Sequence, residues 1–453
     1  MWPRSRMFVT LAWAVLLAGC ISYSRKPIVA NDLAAALERR SPPDEIVGKS
    51  TSHSYTPEDG VTLEDAEVVA LFYNPTLREA RLRAQVVVLS AREAGRWEDP
   101  VLSADALRIL ENVEKPWITG LSLAFTIPIS GRTAIEKQKA TAEGSAALVE
   151  AWAEEQKILF QLRDAWVEWR SMLRRAETSR ALLHHLEEIV QITQRLESSG
   201  ELITAEGAAF RLSLARARLD VVDVGTQERE VRQRVIALMG LVPHANPNLV
   251  AKDSVGRTWD APTTQTLLAR NPSVLIRSAQ YEVAEQALRL EVRKQYPDVT
   301  LGPSYENEDG QDRVGLGVSI PLPILNANRR AIVDAQASRE AARALWEESV
   351  QQALAEFAAA LARLDANEQR RLTILNDIAP LAELQVAQAR RLAQQGEVNT
   401  LLLLEALNSE REAAFDVIEA DAQVSHAEMT LRALSPEAPP FADTSAEKEI
   451  SKK

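Results

Sequence analysis

The sequence has few of the residues that interrupt regular structure, since 453 residues contain only 17 glycines and 21 prolines. Many of these are concentrated in a few short stretches, so long uninterrupted elements are expected between them. Ala, Leu, Glu, Arg and Gln dominate the composition, as is typical of long helices and coiled coils. The sequence therefore predicts a mainly α-helical chain with a small β part.

Residues that carry chemistry are also scarce, with one cysteine and five histidines. No nucleophile, base and orienting group recur at a recognisable spacing, so we predict no enzyme and no cofactor. His184 and His185 are adjacent and should face different directions on a helix, while His53, His244 and His426 stand alone, so no metal site is predicted. The formal charge of −12 and the lack of a long basic block argue against a nucleic-acid partner.

The N-terminus reads as a secretory leader covering residues 1–19. Arg4 and Arg6 precede an apolar stretch from Phe8 to Leu17 that is too short to span a bilayer. The ending Leu17-Ala18-Gly19-Cys20 resembles a bacterial lipoprotein signal, which implies cleavage before Cys20 and acylation, palmitate included, of that residue. Acyl chains bury methylenes at about 0.8 kcal/mol each, enough for stable attachment. The alternative is an ordinary signal peptide with an incidental cysteine.

An internal duplication organises the chain after residue 62. Asn74-Pro75 matches Asn271-Pro272, and Gly200-Glu201 matches Gly396-Glu397, so the offset is close to 197 residues. Each half reads as helix, β-hairpin, very long helix, turn and helix. We expect these segments: lipidated N-terminal arm 20–62, first repeat 63–240, connector 241–263, second repeat 264–435 and polar tail 436–453.

The long helix of the first half should begin after Gly131 and continue to Ser198. Its length of roughly 100 Å at 1.5 Å per residue is too great for burial in an ordinary domain. Its apolar residues alternate spacings of four and three, which indicates a coiled-coil seam with the polar Ser179 as an interruption. The second half repeats the seam, with Glu368 and Arg371 breaking it and Pro380 expected to kink the helix. The first seam comprises Ile158, Leu162, Ala165, Trp169, Met172, Ala176, Leu183, Leu186 and Val190.

Two segments of period two lie between the helices of each half. Strands are predicted at about 101–109 and 117–127, and at about 298–305 and 313–322. One face of each is apolar and the other is small or polar, as in transmembrane strands with lipid on one side and water on the other. The polar tips, 111–115 and 306–312, suit exterior loops. The alternative from periodicity alone is a small soluble sheet.

Four strands cannot close a barrel in lipid without leaving open edges. Several identical chains must then pool their strands, and a trimer with cyclic symmetry would give twelve. The sequence thus favours a membrane assembly of several copies.

The order of these features resembles that of the TolC-type outer-membrane factor family, from about residue 60 to 435. It is carried by the duplicated unit, by the Gly-x-x-x-Thr turns at Gly200/Thr204 and Gly396/Thr400, and by the stretch 401–410. The resemblance implies a homotrimer: a twelve-stranded barrel in the outer membrane, continuous with a periplasmic α-helical barrel. The stretch 319–329 looks like the CzcC heavy-metal branch, which tilts the expected substrate toward metal cations.

The resemblance also assigns roles at the helical tip. It implies that the two Gly-containing turns contact a periplasmic adaptor, a membrane-fusion protein linked to an inner-membrane transporter. Independently of it, a glycine can take positive φ at such a turn, and a threonine four residues later can cap the next helix. Glu405 matches in charge one of the family's acidic entrance rings, whereas Leu402 replaces the other. The alternative for Glu405 is an ordinary surface glutamate.

Two functions remain open at this point. The leading one is a passive duct from the periplasm to the exterior, anchored to the outer membrane at Cys20 and energised by a partner. The other is a non-conducting coiled-coil lipoprotein that serves as a spacer or scaffold in the cell envelope.

Overall fold

The computed structural model describes residues 23–39, 60–111, 113–251, 261–394, 400–437 and 439. Residues 1–41 and 42–453 form separate units, and the first contributes helix α1, Ala30–Glu38. The second unit is mostly helical and contains one four-stranded antiparallel sheet, which confirms the predicted mainly α class with a small β part. The predicted leader and Cys20 lie outside the described residues.

The same order of elements occurs twice in the second unit. Within the described ranges, no helix has both the length and the apolar character needed to cross a membrane. The elements of the first pass are α2 Leu63–Tyr73, α3 Pro75–Glu93, β1 Val101–Arg108, β2 Trp117–Ile127, α4 Arg132–Ser199 and α5 Thr204–Leu238. Those of the second are α6 Thr264–Arg270, α7 Pro272–Arg293, β3 Val299–Glu308, β4 Gln311–Ser319, α8 Arg329–Thr373, a π-helical turn Ile374–Ile378, α9 Ala379–Gln394 and α10 Thr400–Leu434.

The duplication extends to individual hydrogen bonds. Asn74 caps α3 with its Oδ1, and its Nδ2 donates to the carbonyl oxygen of Leu238 at 2.8 Å. Asn271 caps α7 in the same way, and its Nδ2 donates to the carbonyl oxygen of Leu434 at 3.0 Å. The following proline starts each helix, because its missing N–H falls where no helical partner exists. Each Asn-Pro pair therefore splits what the sequence suggested as one helix.

Other helices of the same chain bury the coiled-coil seam of α4. Leu162, Ala165 and Trp169 pack with α2 and the end of α5, while Leu186 and Val190 pack between α5, α9 and α10. Ser179 is also buried, at 2% exposure, so the polar interruption lies inside the packed stripe. Helix α4 is 68 residues long, about 100 Å, and contacts α3, α5, α7 and α10. It is the element around which the others pack.

The seam of the second half is less covered. Leu354 and Ile378 are exposed, whereas the small residues Ala353 and Ala360 are buried. Near Pro380 the helix widens into the π-helical turn that ends at Ile378. Proline has no N–H to donate, and its ring crowds the preceding turn of the helix. A wider π-helical turn makes room for the ring and tolerates the missing hydrogen bond. At the position where a kink was predicted, the helix therefore changes from α-helical to π-helical geometry.

Two strand boundaries differ from those predicted. Strand β3 continues to Glu308 and β4 begins at Gln311, so the second hairpin turns on Asp309 and Gly310, both at positive φ. Strand β4 ends at Ser319 and not at 322, since Pro321 and Pro323 lack the N–H that continues a ladder. The connector to α8 is therefore longer than its counterpart in the first repeat.

We expect Asn74→Asp to destabilise the fold. The aspartate keeps the acceptor that caps α3 but places a carboxylate oxygen against the Leu238 carbonyl, at a side chain that is 4% exposed. A loss of about 2 kcal/mol is typical for such a buried mismatch. Thermal melting of the purified protein measures it, with the exposed Asn408→Asp on α10 as the matched control. Equal melting temperatures for the two variants would contradict the structural role of Asn74.

Candidate functional site

The sheet presents one continuous apolar face across its four strands. Residues directly opposite in antiparallel strands share a face, and the observed register joins Leu102 to Leu123, Leu121 to Tyr305, and Leu301 to Val318. The other face carries small and polar residues, such as the pairs Ser103 with Ser122 and Ser304 with Gly315. The alternation predicted for each strand is therefore in phase across the whole sheet.

The apolar face is open to the surroundings, most of all on β4. Val314, Leu316 and Val318 are 84%, 74% and 61% exposed. Exposed aromatic residues mark both ends of the sheet. Trp97 and Tyr296 precede β1 and β3 at one end, and Trp117 lies beside the hairpin loop at the other. An apolar band between aromatic residues is the pattern of a surface that faces lipid.

The first helical tip is a tight turn closed by backbone bonds. Gly200 ends α4 with φ 77°, in the left-handed region that glycine adopts at little cost. The N–H groups of Glu201 and Leu202 both donate to the carbonyl oxygen of Leu196, at 2.9 and 3.2 Å. The conformation predicted for Gly200 is therefore present.

Thr204 does not cap α5, contrary to the sequence-based expectation. Ile203 occupies the capping position with an extended backbone, and Thr204 is already the first helical residue. A side-chain contact joins the two helices near the turn. Arg211 on α5 donates from Nη1 to Glu197 on α4 at 2.8 Å, and Gly207 leaves the space that the Glu197 carboxylate fills. No periodic pattern in the sequence indicates this pair.

The second tip is described only on its α10 side. Gly396 lies outside the described residues, and Thr400 is the first residue of α10. Glu405 is exposed, and Leu401, one turn earlier on the same helix, is 74% exposed. The structure of this chain thus leaves Glu405 free to face a partner or a lumen.

Charged side chains fasten the long helices to one another between the tips and the sheet. The Asp421 carboxylate on α10 accepts from Arg174 on α4 at 2.9 Å and from Arg371 on α8 at 2.8 Å. Burial by itself raises the pKa of Asp421, but the two arginine hydrogen bonds outweigh it and hold the pKa below its ordinary value. Arg371, which looked like a break in the apolar seam, is therefore an inter-helix contact.

The histidines are less isolated than the sequence suggested. His184 Nε2 and His185 Nδ1 both approach the Glu188 carboxylate, at 3.5 and 4.0 Å, and His426 Nδ1 lies 2.6 Å from Asp164. One turn of helix brings Glu188 within reach of both rings although the rings diverge. In the part of the chain that the structure describes, no group of three or more His, Cys, Asp or Glu side chains could hold a metal ion.

Comparison with known proteins defines the class to which this fold corresponds. Residues 263–435, the second repeat, match the family described as Outer membrane efflux protein. The resemblance to the TolC-type outer-membrane factors that the sequence indicates is thereby confirmed for the second repeat.

One relative with a known name matches part of the sequence. The cobalt-zinc-cadmium resistance protein CzcC of Cupriavidus metallidurans is 26% identical over 145 residues, 31% of this chain. That alignment spans only about a third of the relative, 34% of its length. The likeness to CzcC that the stretch 319–329 suggested is thus matched by a curated relative.

Solved structures extend the likeness to the whole fold. The outer membrane protein VceC of Vibrio cholerae has a TM-score of 0.69 at 20% identity, covering 82% of this chain and 96% of that one. CusC has a TM-score of 0.71 at 16% identity, covering 92% of this chain and 99% of CusC. The Campylobacter jejuni CmeC outer membrane channel has a TM-score of 0.73 at 14% identity, covering 96% of each chain. At these identities the likeness establishes the fold.

The Asp421 contacts generate a pH prediction. Because the folded pKa lies below the unfolded one, the carboxylate stabilises the protein above the unfolded pKa of about 3.9, and this stabilisation is lost as pH falls through the folded value. Asp421→Asn should therefore melt at a lower temperature than the parent at pH 7. The difference should shrink as pH falls from about 5 to 3.

Asp334→Asn is the matched control, since Asp334 is largely exposed and its ion pair with Arg330 is long, at 3.9 Å. Exposed pairs of this kind contribute little. A melting difference for Asp421→Asn that stayed constant over the same pH range would show that the Asp421 carboxylate does not provide the stabilisation.

Proposed function

We propose that this protein is the outer-membrane channel component of a tripartite efflux or export system. Three copies form a passive duct from the periplasm to the exterior, and no chemical step occurs in it. The repeats 63–240 and 264–435 each contribute one hairpin to a twelve-stranded barrel and one helical pair to the tube beneath it. The family match of the second repeat and the fold of the whole chain support this assignment.

One observation supports the proposal most: within the described ranges, the sheet has a continuous exposed apolar face and two outer edges without a strand partner. Each unsatisfied backbone group in lipid costs several kcal/mol, so a lipid-facing sheet has to close on itself. Strands of 8 to 11 residues are close to the length that crosses a bilayer when tilted. One chain supplies four of them, and several chains together supply a closed wall.

The orientation follows from the polarity of the two ends. The tips of the two hairpins are mostly polar, which suits the exterior, while the helices extend about 100 Å from the opposite end of the strands. That length suits a tube through the periplasm. The acylated Cys20 would add an anchor to the same membrane.

The proposed protein partners are those that would contact the helical tips. The turns at Gly200/Thr204 and Gly396/Thr400 would meet a periplasmic adaptor that connects the duct to an inner-membrane transporter, the source of energy. The compact closure at Gly200, fixed by three backbone bonds, supplies a rigid contact surface. Opening of the tip on binding is the transport step that the protein itself performs.

The solute class is suggested by one relative. CzcC is a cobalt-zinc-cadmium resistance protein by name, so divalent metal cations are the proposed cargo. Three exposed Glu405 carboxylates gathered at the entrance would repel one another and attract cations. Such a ring favours cation passage without a resident metal site.

Reconstitution in a planar bilayer tests the duct. We expect stepwise conductance increments from the mature protein, because water fills the barrel that the polar sheet faces line. Leu316→Arg, on the apolar face, should reduce insertion, since a charge at mid-bilayer costs about 2–4 kcal/mol. Ser304→Arg, on the opposite face, is the matched control and should insert normally. Membrane-bound protein with no conductance would instead support the non-conducting spacer.

The entrance role of Glu405 has its own test. Glu405→Ala should lower the preference for cations over anions and weaken the block of conductance by divalent cations, both measured in the same bilayers. Glu230→Ala removes the same charge from an exposed position near the far end of α5 and should change neither. If the two variants behaved alike, the assignment of Glu405 to the entrance would be withdrawn.

A further inference from the structure

The connector between β4 and α8, residues 320–328, has an exposed apolar tip. It is nine residues long, whereas its counterpart between β2 and α4 has four. Leu322, Ile324 and Leu325 are all exposed, the last of them at 95%, while the shorter connector exposes Ile129. Large apolar side chains grouped on one loop are costly in water, so a covering partner is expected.

Both ends of this connector are fixed to the rest of the chain. At one end, Ser319 pairs with Thr300 in the sheet. At the other end, Asn328 Nδ2 donates to the carbonyl oxygen and to Oε2 of Glu291, at 2.9 and 2.8 Å. Ala327 and Asn328 have φ of 47° and 55°, in a region that residues other than glycine rarely adopt. The backbone therefore holds the apolar tip in a defined place.

That place is the end of the sheet nearest the helices. The exposed aromatic residues Trp97 and Tyr296 precede β1 and β3 at the same end. Aromatic residues of this kind mark the boundary between hydrocarbon and headgroups. Ile320 and Leu322 each precede a proline, which favours an extended backbone, so the alternation of β4 continues to Leu322. The apolar face of β4 thus extends beyond the last bond of the ladder, toward this boundary.

Two exposed arginines, Arg329 and Arg330, follow the apolar tip at the start of α8. Positive charge is unfavourable there, because the helix dipole is positive at the same end. The Arg330 side chain is 93% exposed, and its ion pair with Asp334 is long, at 3.9 Å. Such a pair contributes little, so the two guanidinium groups are available to an anion outside the chain.

The first repeat neutralises the arginine at the corresponding place. Arg132 begins α4 and contacts the carboxylates of Glu98 and Asp298, at 2.6 Å each. At the offset of 197, Arg132 corresponds to Arg329 and Glu98 to Gln295, which is uncharged. The second repeat therefore keeps the arginine without the counterpart of Glu98. A phosphate group, which arginine binds through a pair of N–H donors, can take the place of the carboxylate.

We propose that this connector is an interfacial membrane anchor. The tip from Leu322 to Leu325 inserts among the acyl chains at the periplasmic boundary of the outer membrane, and Arg329 and Arg330 bind the phosphates of anionic phospholipids. Apolar side chains next to basic ones are the usual combination for binding at a lipid surface. This inference rests on the proposed function, because it presupposes that the sheet lies in a bilayer. It adds an attachment besides the barrel and Cys20, and the class of lipid that this attachment favours.

A fluorescent label measures where the tip lies. Leu325→Cys is labelled with nitrobenzoxadiazole and reconstituted in vesicles of phosphatidylcholine and phosphatidylglycerol. Lipids with a nitroxide on the acyl chain should quench the label strongly, and iodide in the water should quench it weakly. Labelled Leu316→Cys, on the apolar face of β4, reports whether the sheet itself is inserted. Labelled Ile203→Cys, exposed at the first helical tip, should show the opposite preference, and the parent chain with Cys20 unchanged sets the background.

The outcomes separate the anchor from the duct. Quenching by lipid at both Leu325 and Leu316 is the expected result. Quenching by lipid at Leu316 but by iodide at Leu325 would place the connector in water, and protection of Leu325 from both quenchers would show that protein covers it. Either result would overturn the anchor and leave the duct standing. Absence of quenching by lipid at Leu316 would contradict the duct as well.

The arginines are tested by the choice of lipid. Adding Arg329→Gln and Arg330→Gln to the labelled Leu325→Cys chain should lower the association of phosphatidylglycerol relative to phosphatidylcholine by about fivefold for each arginine. The relative quenching by the two nitroxide-labelled lipids measures this preference. Arg390→Gln with Arg391→Gln, both exposed near the end of α9, is the matched control and should leave it unchanged. Equal preferences in the two double variants would overturn the binding of anionic lipid by Arg329 and Arg330.

Discussion

An unpaired strand edge cannot remain in lipid, and this constraint governs the whole structure. The four strands form one sheet whose apolar face is exposed and whose outer strands, β1 and β4, have no further strand partner among the residues that the structure describes. Water could satisfy such edges, but then the apolar face would be exposed to water at a cost of about 25 cal/mol for each Å². Lipid satisfies the face and leaves the edges unsatisfied. The proposed wall, shared by several copies, would satisfy both the face and the edges.

In the proposed duct, the helical part has a different task, which is to hold a long wall together without a globular core. Helix α4 buries a stripe of large residues such as Trp169 and Leu162, whereas the buried residues of α8 are small, such as Ala353 and Ala360. Ion pairs add contacts across the helices where apolar cover is thin, as at Asp421 between two arginines. Apolar side chains stay exposed on α3, α5 and β4, among other elements, as at Val86, Leu219 and Val314.

Much of this fold could be predicted from the sequence because its patterns are long and periodic. The 68 residues of α4, the glycine turn at Gly200 and the in-phase alternation of four strands all follow from spacing. The predictions were wrong where a single residue determines how a helix begins or where a strand ends. Thr204 does not cap because the chain leaves the turn one residue earlier, at Ile203. Strand β4 stops at Ser319 because of the prolines that follow. Contacts such as Glu197 with Arg211 depend on tertiary geometry, which spacing does not report.

The number of copies in the native particle tests the account most directly. Native mass spectrometry of the mature protein, extracted from outer membranes in detergent, measures that number without any variant. A particle of three chains that requires detergent to stay in solution is the predicted result. A single chain that stays dispersed in water without detergent, with its sheet intact, would contradict the claim that identical copies share one wall.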